Sequence, residues 1–325
     1  MSGEALQSIL HPAGPQAARI GDLWWLMLWV CAAVYALVMI ALVWGSLRRR
    51  SQEELSGISA VVPPAEGSER LLARWVGGAT AVSALILLTL LVASVSTSRS
   101  LEALAAPRAL EIELTGRQWW WQVEYADPTP SRRVMSANEI HIPVGRPVHI
   151  RGTARDVIHS FWVPSLHGKK DLIPGHTTDL WLRADRPGVY RGQCAEFCGW
   201  QHAHMALLVI AEPTDRFDAW LESQRQPAAL PSTPLQQRGR AVFEAQACPL
   251  CHTIQGTGAS ASAGPDLTHL AGRRTLAAGT LPNTLGNLGG WIADPQSVKP
   301  GNRMPAVTLP SEDLQALLAY LETLR

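Results

Sequence analysis

The run Cys194-Ala-Glu-Phe-Cys198-Gly-Trp-Gln-His202-Ala-His204-Met205 places two thiols, two imidazoles and a thioether within twelve residues. Thiolate, thioether and imidazole donors in one place form the ligand set that soft copper prefers. Thiolates at i and i+4 can both bridge a pair of copper ions, and each ion then needs one imidazole and one weak axial donor. A second histidine must therefore come from upstream, and His159, in His-Ser-Phe-Trp-Val-Pro, is the best placed. Farther on, Cys248-Pro-Leu-Cys251-His252 has the spacing that fixes a c-type haem covalently. Two redox centres on one chain, with no substrate pocket evident between them, point to a conductor of electrons whose terminal chemistry lies elsewhere.

Four of the five cysteines fall inside these motifs and the fifth, Cys31, lies in an apolar stretch, so no pair remains for a structural disulfide framework. The flanking histidines and methionine speak against a disulfide within either motif. A thioredoxin-like pair fits poorly too, because His252 follows Cys251 at once and no βαβ pattern surrounds it. With 28 basic and 27 acidic residues the chain has no excess of positive charge to offer a nucleic acid. Its 325 residues leave room for two or three domains.

These centres need a scaffold and an address. Residues 23–47 and 75–95 are two uncharged runs, each long enough to cross the hydrocarbon layer, and predict two transmembrane helices. Arg48, Arg49, Arg50, Arg70 and Arg74 lie between them, whereas the N-terminal tail has only Arg19, so the loop is expected on the cytoplasmic side and both flanking segments on the other. The first apolar run starts late and lacks a basic segment before it, unlike a cleaved signal peptide. Trp24, Trp25, Trp29, Trp44 and Trp75 cluster towards helix ends, as interfacial tryptophans do. From about Leu110 to Ala211 short β-rich runs alternate with turn residues (111–125, 139–143, 148–151, 159–163, 178–182, 188–193 and 205–210), the pattern of an all-β sandwich or barrel.

His159 together with Cys194-x-Glu196-x-Cys198-x-x-x-His202-x-x-Met205, preceded by two apolar helices, resembles the binuclear CuA site of cytochrome c oxidase subunit II. The resemblance implies a cupredoxin-like Greek-key sandwich after a two-helix transmembrane hairpin. Carried over by position, His159 and Met205 complete one copper, His202 and the backbone carbonyl of Glu196 the other, and Cys194 and Cys198 bridge both. His204 stands where the family has a non-ligand residue, and strand alternation turns it away from His202. The Glu196 side chain matches the group that reaches a magnesium or manganese ion at the junction with subunit I. Asp171 matches a segment that docks on that subunit. Arg117-Gln-Trp-Trp-Trp-Gln-Val-Glu-Tyr125 is similar to the family's aromatic stretch, with Trp119 at the position where electrons enter. Three consecutive tryptophans on a strand cannot all face one side, so Trp120 is expected to oppose Trp119 and Trp121, with at least one ring at a surface or interface.

Pro227 to Pro234 reads as a stiff proline-rich linker. Beyond it, a helix is expected over 235–247 with Val242 and Phe243 inward, and another from Ser311 with Leu314, Leu317, Leu318 and Leu321 on its apolar face. This part resembles a small all-α class I cytochrome c. Cys248 and Cys251 then carry the porphyrin and His252 ligates its iron, with Met304, the domain's only methionine, as sixth ligand and His269 as the rival. Gly264-Pro265-Asp266-Leu267 resembles the segment whose proline carbonyl accepts the N–H of the proximal histidine.

The expected organisation is 1–100 for tail and membrane helices, 101–224 for the copper domain, 225–234 for the linker and 235–325 for the haem domain. The whole resembles subunit II of a caa-type oxidase in a bacterial inner membrane, with both redox domains on the periplasmic face. The resemblance implies a cytochrome c donor, lipid contact, and a partner subunit I that reduces oxygen and translocates protons. Glu69 is offset from the glutamate with which family members commonly feed a proton channel. A nitric oxide reductase with the same input module and a copper-delivery protein are the alternatives. A quinol-oxidising homologue is disfavoured by the presence of the copper ligands.

Overall fold

The computed structural model describes residues 5–55, 66–102 and 109–325. Two compact units emerge, one of Arg19–Leu104 and one that joins Met1–Ala18 to Ala105–Arg325. In the first, the two apolar runs form the middles of longer helices, α1 (Pro15–Leu55) and α2 (Glu66–Glu102). Proline at the first position suits a helix start, and arginine propagates a helix well, so the charged flanks continue the apolar cores. Within them, Pro15–Arg48 and Glu69–Glu102 are long and apolar enough to cross a membrane, with mean hydropathies of 2.7 and 2.2. Trp29, Leu37, Ile40, Trp75 and Leu87 stand bare on these helices, as lipid-facing side chains do. The Arg48 guanidinium lies 4.0 Å from the Trp44 ring. Residues 56–65, the middle of the expected loop, lie outside the described residues, as do 103–108 and the side chains of Arg49 and Arg50.

The second unit begins its copper domain with ten strands: β1 (Leu110–Arg117), β2 (Trp120–Tyr125), β3 (Val134–Ala137), β4 (Glu139–Pro143), β5 (Val148–Ala154), β6 (His159–Trp162), β7 (Lys170–Leu172), β8 (Thr178–Leu182), β9 (Gly188–Cys194) and β10 (Ala206–Glu212). They form two sheets, ordered β3-β2-β1-β5-β8 and β4-β10-β9-β6-β7. Alternate residues of both sheets, among them Ile112, Leu114, Trp121, Phe161, Leu207 and Val209, meet in one core. The expected run 111–125 is a hairpin rather than one strand, with Arg117 opposite Trp120 and Gln118-Trp119 at its turn. Strand alternation therefore separates only Trp120 from Trp121. Trp121 is fully buried, while Trp120 lies under the Arg117 guanidinium. The N-terminal residues belong to this domain as well. Leu6 bridges Tyr190 of β9, and the N–H groups of Ala13 and Ala17 donate to the carbonyls of Ser165 and Leu166.

After β10, α3 (Thr214–Gln224) seats Phe217 in the copper-domain core. The haem domain has α4 (Pro234–Ala245), α5 (Leu285–Ala293), α6 (Pro295–Val298) and α7 (Ser311–Leu321). A capping box at Thr233 and Gln236, with Pro234 in the first turn, starts α4. Phe243 is buried with Leu317, Tyr320 and Leu321, and Val242, Leu314 and Leu318 pack around them. A two-residue ladder, Thr275–Leu276 with Leu281–Pro282, departs from the all-helical expectation.

Helices α4 and α7 cross at Gly239, where a Cβ would strike the backbone carbonyl of Ala316. Backbone cannot yield as a flexible side chain does, so Gly239→Val should force the helices apart and destabilise the haem domain by about 1–3 kcal/mol or more. Thermal unfolding followed at the haem absorbance is the check. An unchanged midpoint would rule out this crossing.

Candidate metal centre and haem cavity

Strand β9 ends at Cys194, β10 begins just after Met205, and β6 begins at His159, so pairing of Phe161 with Cys194 gathers three segments at one end of the sheet. The Cys194 and Cys198 sulfurs are 3.7 Å apart. That is well beyond a disulfide bond of about 2.05 Å, and metal–thiolate bonds of about 2.3 Å let one ion span such a gap. His159 Nδ1 lies 3.9 Å and the Glu196 carbonyl oxygen 3.2 Å from Cys194 Sγ. Around Cys198 Sγ are His202 Nδ1 at 3.6 Å and Met205 Sδ at 3.8 Å. The ligand atoms of His159, Cys194 and Cys198 all lie within 4.8 Å of one another. His159 and Met205 are fully buried.

The neighbours aim these donors. Asp156 Oδ1 is 2.9 Å from His159 Nε2, which turns Nδ1 to the sulfurs, and the same carboxylate accepts the N–H groups of Gln118 and Val157. Burial pushes the Asp156 carboxyl up, but the bonds from His159 and the two N–H groups outweigh it and hold it below the usual range. Burial pushes the His159 imidazole down, yet its bonds to Cys194 and Asp156 raise it overall. Sharing of one proton between the sulfurs lowers Cys194 and raises Cys198, so a cation that binds both must displace that proton. The Trp119 indole N–H and the Gln118 amide both donate to the Cys198 carbonyl, at 2.9 and 2.8 Å. His202–His204 is a short 3-10 turn and not part of a strand, so strand alternation does not apply to His204; its ring is exposed, with Nδ1 2.9 Å from Gln201 Oε1. The Glu196 side chain is 41% exposed, and Lys169 lies 3.6 Å from it and 3.9 Å from Asp171.

A cavity of about 980 Å³ lies where the haem domain meets the copper domain, lined by Cys248, Cys251, His252 and Met304 of the former and by Arg117, Trp119, Trp120 and Asp156 of the latter. His252 Nδ1 donates to the Pro265 carbonyl at 2.7 Å, leaving Nε2 for the cavity, and burial lowers the ring's affinity for a proton. Gly264 makes this possible, because a Cβ there would come within 2.6 Å of the His252 ring. Arg117, Arg155, Arg273 and Arg303 line the cavity, against one carboxylate, Asp156, whose oxygens are already engaged. The lining thus offers two thiols, an imidazole, a thioether and cationic groups for two propionates, a donor set that fits a haem c. His269 is not in the lining. Its nitrogens bond the carbonyls of Arg325 and Gln224.

Comparison with known proteins agrees with both halves. The family model for the periplasmic domain of cytochrome c oxidase subunit II matches residues 127–212 and that for cytochrome c matches residues 236–325. Cytochrome c oxidase subunit 2 of Alkalihalophilus pseudofirmus is 38% identical over 99% of this chain and 92% of its own length. The chain belongs to the cytochrome c oxidase subunit 2 family. The homologue from Bacillus sp. strain PS3 is 31% identical over 86% of this chain and 80% of its own. Among solved structures, the periplasmic domain of subunit II of cytochrome oxidase of Bradyrhizobium japonicum is 31% identical, covering 37% of this chain and 97% of that one, with a TM-score of 0.35. Subunit 2 of this kind is the part of a haem–copper oxidase where electrons enter. Its two domains imply CuA copper and haem c, and its partner is subunit I. Two apolar helices suggest membrane anchoring, and the copper domain matches the family's periplasmic domain.

Asp156 and Gln118 escape a reading of motifs. An acidic residue three positions before a candidate ligand is the only signal for the first, and the second carries none. Asp156→Asn tests the brace. At pH 7 the wild-type chain should be more stable by about 1.5–3 kcal/mol, the range for hydrogen bonds to a charged group. Because the folded carboxyl is depressed, that advantage is complete above its unfolded pKa and disappears as pH falls through its lower folded value. Denaturant titrations across acid pH should show the two curves converging; a constant gap would exclude an ionised brace.

Proposed function

We propose that this subunit takes electrons from an external cytochrome c into its haem domain, passes them to a binuclear copper centre, and delivers them to subunit I for oxygen reduction coupled to proton translocation. The observation that carries this reading is the cluster of two sulfurs 3.7 Å apart with two imidazoles, a thioether and a carbonyl around them. When bound, the copper pair and haem c supply one-electron exchange. The copper pair would be held by Cys194 and Cys198 together, with His159 and Met205 serving one ion and His202 and the Glu196 carbonyl the other. Cys248 and Cys251 would hold the porphyrin, and His252 and Met304 would be the ligands to its iron. The engaged nitrogens of His269 favour Met304 over that rival.

Trp119 is assigned the role of electron inlet to the copper domain, one hydrogen bond from Cys198. The half-exposed Glu196 carboxylate offers a hard cation, magnesium or manganese, an oxygen ligand at the face towards subunit I, with Asp171 as a docking group. The working division is 1–100, 101–224, 225–234 and 235–325. Both apolar helices cross a bacterial inner membrane in lipid contact. Pairing of Leu6 with Tyr190 supports two crossings, since it needs the N-terminal residues and the copper domain on one side.

Cys198→Ser should abolish the seven-line mixed-valence electron paramagnetic resonance of the copper pair, because a hydroxyl cannot replace a thiolate shared by two ions. Persistence of that pattern would sink the binuclear assignment. Met304→Leu should leave haem attached through Cys248 and Cys251 and lower its midpoint potential. A redox titration decides this; a midpoint that moves with His269→Ala instead assigns the sixth ligand to His269.

A further inference from the structure

A tether alone, as segment 225–234 reads in sequence, describes a haem domain that swings towards the copper domain and away. The contacts between the domains are of another kind. The copper-domain carboxylate of Glu139 is 2% exposed and accepts the haem-domain N–H groups of Arg274 and Thr275 at 2.7 and 3.1 Å. In the opposite direction, the haem-domain ammonium of Lys299, 3% exposed, donates to the Trp119 carbonyl of the copper domain at 2.7 Å and to Ala277 at 3.0 Å. Among the described residues neither charge has a salt-bridge partner of opposite sign. Each domain therefore buries one ionisable group whose partners include backbone of the other.

Such groups add little to affinity, because water solvates them well when the domains part. Their effect is on register. A docked pose that buries either group without these partners costs several kcal/mol, so alternative poses are penalised far more than separation is. Burial drives the Glu139 carboxyl up and the Lys299 ammonium down to about 7, which agrees with their dry setting. Two further bonds fix the same pose: Gln201 Nε2 to the Pro300 carbonyl at 2.7 Å, and Ala206 N–H to the Ala278 carbonyl at 2.9 Å.

The locked segment is also the one that bears Met304. Asn302 donates to the Lys299 carbonyl at 2.7 Å and accepts the Met304 N–H at 2.8 Å. From Lys299 the bonded path continues through the Trp119 carbonyl, and the Trp119 indole donates to Cys198. We infer that Glu139 and Lys299 form a reciprocal register lock that holds the haem domain in one pose over Trp119, so that transfer to the copper domain needs no domain reorientation. The lock rests on the proposed electron order, haem before copper. The transfer moves one electron, oxidising the haem centre and reducing the copper centre, with no bond made or broken.

The test uses the assembled oxidase, with one electron photoinjected into the haem and copper reduction followed in glycerol solutions of rising viscosity. The wild-type rate should be independent of viscosity. Lys299→Met and Glu139→Leu should be slower, with rates that fall by about half as viscosity doubles, as for a diffusing tethered partner. Glu139→Gln, whose amide oxygen accepts the same two N–H groups, should restore wild-type behaviour. The dependence on viscosity, which a change of driving force alone does not produce, separates positioning from ligation. A wild-type rate that falls with viscosity overturns the lock even if a variant fails to fold, and so do variants with unchanged rates. Absence of any haem-to-copper transfer in the wild type overturns the electron order beneath it.

Discussion

Everything in the copper domain answers to one constraint: two thiols must stay 3.7 Å apart, nearly dry, and unbonded to each other. A flexible loop would let them close to a disulfide or drift apart. Here the first sulfur ends a strand inside a sheet, and the carbonyl of the second takes hydrogen bonds from both Gln118 and Trp119. The sandwich is thus less a container than a brace. Its two sheets bring β6, β9 and the β1–β2 turn to the same end, and a shift of any one by a residue would exchange core for surface along that strand.

Much of this was legible because it is local. The spacing from Cys194 to Met205 and the C-x-x-C-H triplet state their chemistry in adjacent letters, and the two uncharged runs state theirs by length. The helix from Ser311 came with the right face, since Leu317 and Leu321 are buried where a 3.6-residue period puts them. The tryptophan stretch shows where periodicity misleads: an unbroken apolar run can hide a turn, and Gln118-Trp119 carries none of the usual glycine or proline punctuation.

What was not legible is long-range. Nothing near Glu139 announces that Arg274 and Thr275 will supply its partners, and nothing near Leu6 announces Tyr190. Lys299 reads as one more surface lysine between Val298 and Pro300 until the fold buries it. The linker is the sharpest case. Its proline content describes stiffness, but whether a stiff segment separates two domains or delivers one onto the other is decided by faces made of residues far apart in the chain.

The shared face has a thermodynamic side. A domain held on its neighbour by a short segment acts as a ligand that never leaves, at a local concentration in the millimolar range. Whatever binds only the folded form stabilises it, and an occupant present at a thousandfold above its dissociation constant contributes about 4 kcal/mol. Because the haem domain touches the copper domain through Glu139, Gln201 and Ala206, its own folding feeds into the stability of the β sandwich. Heat, denaturant or a core substitution in either domain is then passed on to the other through that contact.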